Sequence, residues 1–170
     1  EPRLGLVPLL HGGGQERGLR SGTLPTHQIV GMGVAYRIAA LEMAEDSARM
    51  ARLRDRLWHG LAELPGVGLN GHATQRAPGI LSITIDGVEG ESLLFELPGL
   101  AVASGSACAT TSAEPSYVLR ALGRSDRLAQ SSLRLSLGRY TTAAEIELAI
   151  AAIQGAIRRL RAVAPREVAS

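Results

Sequence analysis

Residues 104–116 read Ser-Gly-Ser-Ala-Cys-Ala-Thr-Thr-Ser-Ala-Glu-Pro-Ser and contain Cys108, the only cysteine of the 170-residue chain. A buried lone cysteine usually lies among large aliphatic residues and behaves as a small hydrophobe, whereas Cys108 stands among glycine, serine and threonine. That composition is typical of an accessible loop. A reactive thiol needs access to its substrate and surroundings that favour the thiolate, and a helix predicted to begin near Pro115–Ser116 offers a positive N-terminal partial charge. The local sequence favours a nucleophilic cysteine and an incidental surface thiol equally.

The overall composition is that of a soluble globular protein with one or two small domains. Hydrophobic residues make up 45% of the chain, charged residues 20%, and the net charge is +2. No apolar run approaches the ~20 residues of a membrane span, and no stretch resembles a signal peptide. Five aromatic side chains (three Tyr, one Trp, one Phe) provide no stacking surface for nucleic acid. We therefore predict no nucleic-acid or membrane partner and, since one cysteine cannot form an internal disulfide, a cytoplasmic location.

The basic residues are unusual because all 18 are arginines and the chain contains no lysine. A reaction that needs a lysine Schiff base therefore cannot be completed by this chain alone. A GC-biased genome accounts for arginine at surface positions but not for the loss of an obligatory amine. The chain also begins at Glu1 without a methionine, which predicts that it is a piece of a longer protein.

A glycine-rich segment, His-Gly-Gly-Gly-Gln-Glu-Arg-Gly-Leu-Arg-Ser-Gly-Thr, spans residues 11–23. Glycine lets the backbone approach a ligand closely, and Arg17, Arg20 and Thr23 offer groups that bind anions. The segment is not a P-loop, because no Gly-Lys-Ser/Thr follows. It predicts a phosphate or carboxylate site, with a glycine-rich domain corner as the alternative. The four histidines do not fall at metal-binding intervals, so no metal site is predicted.

The spacing of apolar residues predicts an alternation of helices and strands, which is an α/β fold. In chain order the predicted elements are an edge strand over 4–10, a helical region over 26–64 in one or two pieces, a strand over 67–70, a strand over 80–85, a helix over 89–97, a strand over 100–103, a helix over 116–122, a strand over 132–137, and a final helix opened by a Thr142–Glu145 capping box and closed by Pro165.

The strand predicted over 132–137 separates two kinds of side chain. Leu133, Leu135 and Leu137 share one face, so Arg134 and Ser136 must point to the other. An arginine fixed on the polar face of a strand is suited to bidentate carboxylate binding. A solvent-exposed arginine without a ligand is the equally weighted alternative.

Three motifs stand in a characteristic order along the chain: HGGGQERGLRSGTLPTHQIVGMGVAYRIA (11–39), ASGSACATTSAEPSYVLRALG (103–123) and SSLRLSLGRYTT (131–142). Together they closely resemble the cysteine desulfurases of the iron–sulfur-assembly type, which are pyridoxal-phosphate enzymes of the class V aminotransferase family. The resemblance extends over about residues 4–163 and covers only the C-terminal part of the family's chain.

The resemblance implies the C-terminal part of the fold type I pyridoxal-phosphate architecture. It places the end of the large cofactor-binding domain at residues 1–44, with the glycine-rich loop and the start of a long helix. Residues 45–170 then form the small C-terminal domain, with a small mixed or antiparallel sheet covered by helices and with the cysteine loop.

Specific roles follow from the same resemblance. Cys108 matches the nucleophile that attacks the sulfur of bound L-cysteine and becomes a persulfide while alanine is released. Arg134 matches the arginine that binds the substrate carboxylate, and Thr23 matches a residue that reaches the phosphate of pyridoxal 5'-phosphate in the partner subunit of a homodimer. The lysine that holds this cofactor lies in the missing part, so the resemblance predicts that this chain alone is inactive. The loop length matches members that pass sulfur to an iron–sulfur scaffold protein or another acceptor.

Two features depart from the family pattern, and two rival functions stay open. The chain stops at 163–170 where members with a scaffold partner usually continue, and Ala109-Thr110-Thr111 replaces the commoner Thr-Ser-Ala. The first rival is a selenocysteine lyase or another class V lyase. The second is a stand-alone carrier or adaptor that receives persulfide sulfur from another protein.

Overall fold

The computed structural model describes residues 5–104 and 114–163. The chain divides into two compact units, Glu1–Met43 and Ala44–Ser170. The helices are α1 (Thr26–Ala62), α2 (Gly90–Phe95), α3 (Tyr117–Ala121), α4 (Asp126–Gln130) and α5 (Ala143–Val163), the strands are β1 (Val67–Leu69), β2 (Ile80–Ile85), β3 (Ala103–Ser104) and β4 (Ser132–Ser136), and one 3-10 turn covers Glu16–Gly18. This arrangement confirms the α/β class.

The sheet of the second unit is antiparallel throughout, with strand order β1-β2-β4-β3. Strand β4 is an inner strand, and its Arg134 is the register partner of Ser82 on one side and of Ala103 on the other. The predicted small sheet is therefore present, and among the described strands its pairing is purely antiparallel.

One face of this sheet carries the hydrophobic core. Alternate aliphatic residues of β2 and β4 point into it, and the second half of α1, α2 and α5 cover it with Leu57, Leu61, Leu93, Ile146, Ile153 and Ile157. Burying a side chain of this size contributes about 1.5–3 kcal/mol. The apolar residues that alternate along the strands thus pack against the apolar stripe of α5, as predicted from their spacing.

Two predicted strands differ from the observed structure, and one short helix was not predicted. Residues 5–10 form no strand, and since no strand is described elsewhere in 5–43, their backbone groups have no ladder to join. The helical region predicted over 26–64 in one or two pieces is a single helix, Thr26–Ala62. The strand predicted over 100–103 pairs only at Ala103–Ser104, and the sequence reading missed α4 altogether.

A glycine is required where α2 begins. A Cβ added to the buried Gly90 would lie 2.3 Å from the main-chain oxygen of Gln130, at the end of α4. The close approach seats α2 against the turn that leads into β4, so this glycine fixes the distance between two elements.

We expect Gly90→Ala to lower the free energy of unfolding by about 2 kcal/mol, because the backbone on both sides must move apart to admit a methyl group. Urea unfolding followed by circular dichroism measures the change. Gly99→Ala is the matched control, since a Cβ at Gly99 meets no atom within 4 Å. Equal stability of the two variants would contradict the steric explanation.

The last helix begins with the predicted capping box. The main-chain N–H and the hydroxyl of Thr142 donate to Glu145 Oε2 at 2.8 and 2.9 Å, and the Glu145 N–H donates back to Thr142 Oγ1 at 3.3 Å. The hydrogen bond from the Thr142 main chain, followed by the one from its hydroxyl, holds the pKa of the Glu145 carboxyl below its usual range. The charged form of Glu145 is therefore the form that stabilises the helix start.

The capping box predicts a pH dependence of stability. Because the folded-state pKa of Glu145 is depressed, its contribution is complete above the unfolded-state pKa of about 4.3 and is lost as pH falls through the lower folded-state value. At pH 7 Glu145→Gln is therefore expected to unfold at lower urea than the wild type, and the difference is expected to shrink below about pH 4. On a Thr142→Ala background the pH-dependent difference should be smaller. A difference that stays constant from neutral to acid pH would show that the charge plays no part.

Candidate functional site

The second face of the sheet, opposite the core, changes from covered to open along the strands. At one end Ser132 and its partner Thr84 are only 1% and 3% exposed, whereas at the other end Ile80 is 44% exposed. Ser82 lies between them and is half-buried. The side chains of this face are therefore buried at one end of β2 and β4 and exposed at the other.

Arg134 stands where the covered part of this face ends. It is exposed, whereas the flanking Leu133 and Leu135 are buried in the core, so the predicted separation of β4 into two faces is confirmed. Among the described residues its guanidinium has no hydrogen-bond or ion-pair partner. An arginine held on an inner strand with all five donors available is suited to bind a carboxylate in bidentate fashion.

A buried polar network covers the part of the face next to Arg134, and sequence reasoning missed it. Its centre is Asn70, 4% exposed, which donates to the hydroxyls of Ser82 and Ser132 and accepts from Arg124. The only sequence signal was that Asn70 is the single asparagine of the chain and follows directly after a short strand.

The glycine-rich loop in the first unit is folded on itself by its own polar groups. The N–H of Gly14 donates to Ser21 Oγ, the N–H of Gly22 donates to Gln15 Oε1, and Ser21 is buried. Backbone φ angles between 77° and 98° at Gly14, Gly18 and Gly22 explain the glycines, since other residues rarely adopt this conformation.

The groups predicted to bind an anion differ in how far their donors are already used within the loop. Arg20 Nη1 donates to the carbonyl oxygens of Gly22 and Thr23 at 2.8 and 3.2 Å, so part of its capacity is used to hold the loop. Arg17 and the hydroxyl of Thr23 are exposed and have no partner among the described residues. Arg17 and Arg20 line an open cleft of about 590 Å³. Arg17 and the Thr23 hydroxyl are therefore the side-chain donors that stay wholly available, whereas Arg20 is partly used.

The three predicted site residues are not all brought together by the described chain. Thr23 belongs to the first unit and Arg134 to the second. Cys108 lies outside the described residues. Strand β3 ends at Ser104 and leads into the segment that contains Cys108, and Ala103 of this strand is the register partner of Arg134. The described structure therefore places Arg134 beside the strand that enters the cysteine segment.

Two further features, a metal-binding cluster and a membrane-spanning helix, are absent from residues 5–104 and 114–163. This part of the chain holds no group of three or more His, Cys, Asp or Glu side chains arranged to bind a metal ion. No helix described there combines the length and apolar character that a membrane crossing requires.

Comparison with known proteins identifies the class of protein. The family model described as aminotransferase class V matches residues 9–148. The chain belongs to this family, which confirms the class inferred from the three sequence motifs.

Two curated cysteine desulfurases show how similar this chain is to individual proteins. The chain is 58% identical over 165 residues to the cysteine desulfurase IscS of Methylococcus capsulatus and 57% identical over 165 residues to that of Klebsiella pneumoniae. In both cases the match covers 97% of this chain and 41% of the relative. The chain thus spans about two fifths of the curated relatives it matches, in agreement with the prediction that it corresponds to part of a longer enzyme.

Solved structures give the same fold. A NifS-like protein from Rickettsia africae matches with a TM-score of 0.77 at 29% identity, over 89% of this chain and 40% of that one. A second NifS-like protein matches with a TM-score of 0.73 at 34% identity, over 92% of this chain and 39% of that one. The α/β architecture described above is therefore that of part of the NifS-like proteins.

Proposed function

We propose that this chain is the C-terminal part of a cysteine desulfurase, which converts L-cysteine into L-alanine and a protein-bound persulfide. The observation that carries the proposal is Arg134: an exposed guanidinium without a partner among the described residues, paired in register with the strand that leads to the only cysteine. An enzyme that acts on the sulfur of an amino acid needs a group that binds the carboxylate close to a segment that carries a thiol. The similarity to cysteine desulfurases at 57–58% identity supports the same conclusion.

The reaction assigns a separate task to each group. Arg134 binds the substrate carboxylate through two parallel N–H···O bonds and so orients the amino acid. The thiolate of Cys108 attacks the substrate sulfur, an S–S bond forms, and the carbon–sulfur bond breaks. Its electron pair stays on the substrate carbon, which takes up a proton and becomes the methyl group of alanine. One thiol is oxidised to a persulfide and one carbon is reduced, so no external oxidant is consumed.

The class V family depends on pyridoxal phosphate, and this chain has some of the groups that would hold the cofactor. When bound, the cofactor supplies an electron sink that stabilises negative charge on the substrate carbon. The exposed hydroxyl of Thr23, in a loop with four positive-φ glycines, suits a phosphate oxygen. The chain has no lysine to hold the cofactor covalently, so we propose that this lysine lies outside the chain and that the chain alone neither binds the cofactor covalently nor turns over cysteine.

The remaining assignments complete the proposal. We assign residues 1–44 to the end of the large cofactor domain and 45–170 to the small domain. The protein acts as a cytoplasmic homodimer in which Thr23 serves the cofactor of the partner subunit. The persulfide sulfur passes to an iron–sulfur scaffold protein or another acceptor.

Intact-mass spectrometry of the full-length protein, incubated with L-cysteine and pyridoxal phosphate, tests the function. We expect a mass gain of one sulfur atom on the peptide that contains Cys108, together with release of alanine. No sulfur on this peptide would overturn the proposal. Release of selenide but not sulfide would identify a selenocysteine lyase, and sulfur uptake only from an added persulfide donor would identify a carrier.

A further inference from the structure

The feature that the proposed function leaves unexplained is Asn70, a fully hydrogen-bonded amide buried over the covered part of the sheet face, next to Arg134. Its main-chain N–H donates to the Ser82 carbonyl oxygen at 2.9 Å, which continues the sheet ladder one residue beyond β1. Its side chain therefore lies over the second face, where β2 and β4 run next to each other. A buried amide of this kind is retained only when its donors and acceptor are satisfied.

Arg124 fixes which way the Asn70 amide points. Its Nε–H donates to Asn70 Oδ1 at 2.9 Å, and its Nη2 donates to the carbonyl oxygen of Leu69 at 2.6 Å. A guanidinium only donates hydrogen bonds, so the atom facing it must be the amide oxygen. The NH₂ group of Asn70 must then face the sheet.

The two N–H groups of this amide reach the two serines that surround Arg134 on its face. Nδ2 donates to Ser82 Oγ at 3.2 Å and to Ser132 Oγ at 3.3 Å. Ser82 is the cross-strand partner of Arg134, and Ser132 precedes it by two residues on the same face of β4. Ser132 in turn donates its own proton to the carbonyl oxygen of Leu128 at 2.8 Å.

This network has two consequences for Arg134. It ties β2 to β4 at the positions next to the arginine, so the strand segment that carries the guanidinium is held from the polar side as well as from the core. It also engages the hydroxyls of Ser82 and Ser132, each of which accepts a hydrogen bond from Asn70 and none from Arg134. Among the described residues the guanidinium has no hydrogen-bond partner, so its donors are available to an external carboxylate.

We propose that Asn70 is a positioning residue for substrate binding: held by Arg124, it fixes the sheet face from which Arg134 reaches the substrate carboxylate. This inference rests on the proposed function, because it takes Arg134 as the carboxylate ligand. Asn70 itself touches no substrate in this scheme and acts only through Ser82 and Ser132.

The test compares variants of the full-length enzyme by KM and kcat for L-cysteine and by the dissociation constant of L-alanine, which carries the same carboxylate. Asn70→Ala is expected to raise KM and the L-alanine dissociation constant about tenfold, with kcat changed by less than about threefold. Asn70→Asp keeps the shape and the bond from Arg124, but it removes both donors and adds a negative charge that competes with the substrate. We expect its KM to rise at least as much, and this variant decides the matter if Asn70→Ala does not fold.

Arg76→Ala is the matched control. Arg76 Nη2 donates to the main-chain oxygens of Asn70 and His72 at 3.0 and 2.6 Å without contacting the Asn70 side chain. This variant should lower the melting temperature but leave KM within about twofold. A KM increase equal to that of Asn70→Ala would mean that general loosening is responsible, and would overturn the proposal.

The outcome also separates this inference from the proposed function. If Arg134→Ala raises KM while both Asn70 variants leave it unchanged, Arg134 binds substrate and the positioning role of Asn70 is wrong. If Arg134→Ala leaves KM unchanged, the carboxylate role of Arg134 fails and the inference fails with it.

Discussion

Cys108→Ala in the full-length protein is expected to abolish persulfide formation on this segment, because it removes the proposed nucleophile, the only thiol among these 170 residues. With L-cysteine and pyridoxal phosphate, the variant should gain no sulfur on the corresponding peptide and release no alanine above background. Peptide mass spectrometry and an alanine assay measure the two products.

Ser106→Ala is the matched control for this prediction, since it changes a small polar residue in the same segment and leaves the thiol in place. We expect it to form the persulfide at a rate within about tenfold of the wild type. Alanine release by Cys108→Ala at the wild-type rate would show that another group accepts the sulfur, and would remove Cys108 from the mechanism.

Arg134→Ala is expected to lower kcat/KM for L-cysteine by about two orders of magnitude, mainly through KM. The reason is the loss of two charge-assisted hydrogen bonds to the substrate carboxylate, which neither Ser136 nor Ser82 can replace. Arg134→Lys should recover only part of the loss, because an ammonium group lacks the planar pair of donors. Steady-state kinetics with the full-length enzyme measures the effect.

Stability distinguishes a binding role of Arg134 from a structural one. Since Arg134 is exposed and has no partner among the described residues, its replacement should leave the unfolding midpoint nearly unchanged. Arg127→Ala removes another exposed arginine, which is paired with Asp86, and should change neither KM nor stability appreciably. A large stability loss in Arg134→Ala with unaltered KM would refute the carboxylate role.

Elements with a strong local signal were predicted well. The strand β2, the alternation of β4, the apolar stripe of α5 and the Thr142–Glu145 capping box depend on neighbouring residues, and the structure confirms all of them. The placement of Arg134 opposite the core follows from the same alternation. Local periodicity therefore sufficed to predict the strand that carries the candidate site.

Elements that depend on distant partners were predicted poorly. The apolar run of 4–10 has a strand-like composition, yet residues 5–10 find no neighbouring strand among those described. The five-residue α4 is too short to show a helical period and is marked only by its N-cap, where Ser125 Oγ accepts from the Leu128 N–H. Composition alone does not supply either kind of information.

The Asn70 network was beyond the reach of sequence reasoning for the same reason. Arg124 is 54 residues away from Asn70, and Ser132 is 62 residues away. Neither spacing belongs to a local motif, so the contact becomes visible only when the sheet register is known. The roles of Cys108 and Thr23 rest on the resemblance to the cysteine desulfurases and stay predictions.

The side chains of β4 that fill the core and those that face away from it can be substituted independently. Its odd-numbered leucines, Leu133 and Leu135, are constrained by volume because they fill the core, whereas Arg134 and Ser136 are constrained only by what they meet outside it. A lineage can therefore exchange Arg134 or Ser136 at little cost to stability. If Arg134 binds substrate as proposed, activity at this strand can be lost or regained by mutation while the core sequence stays fixed.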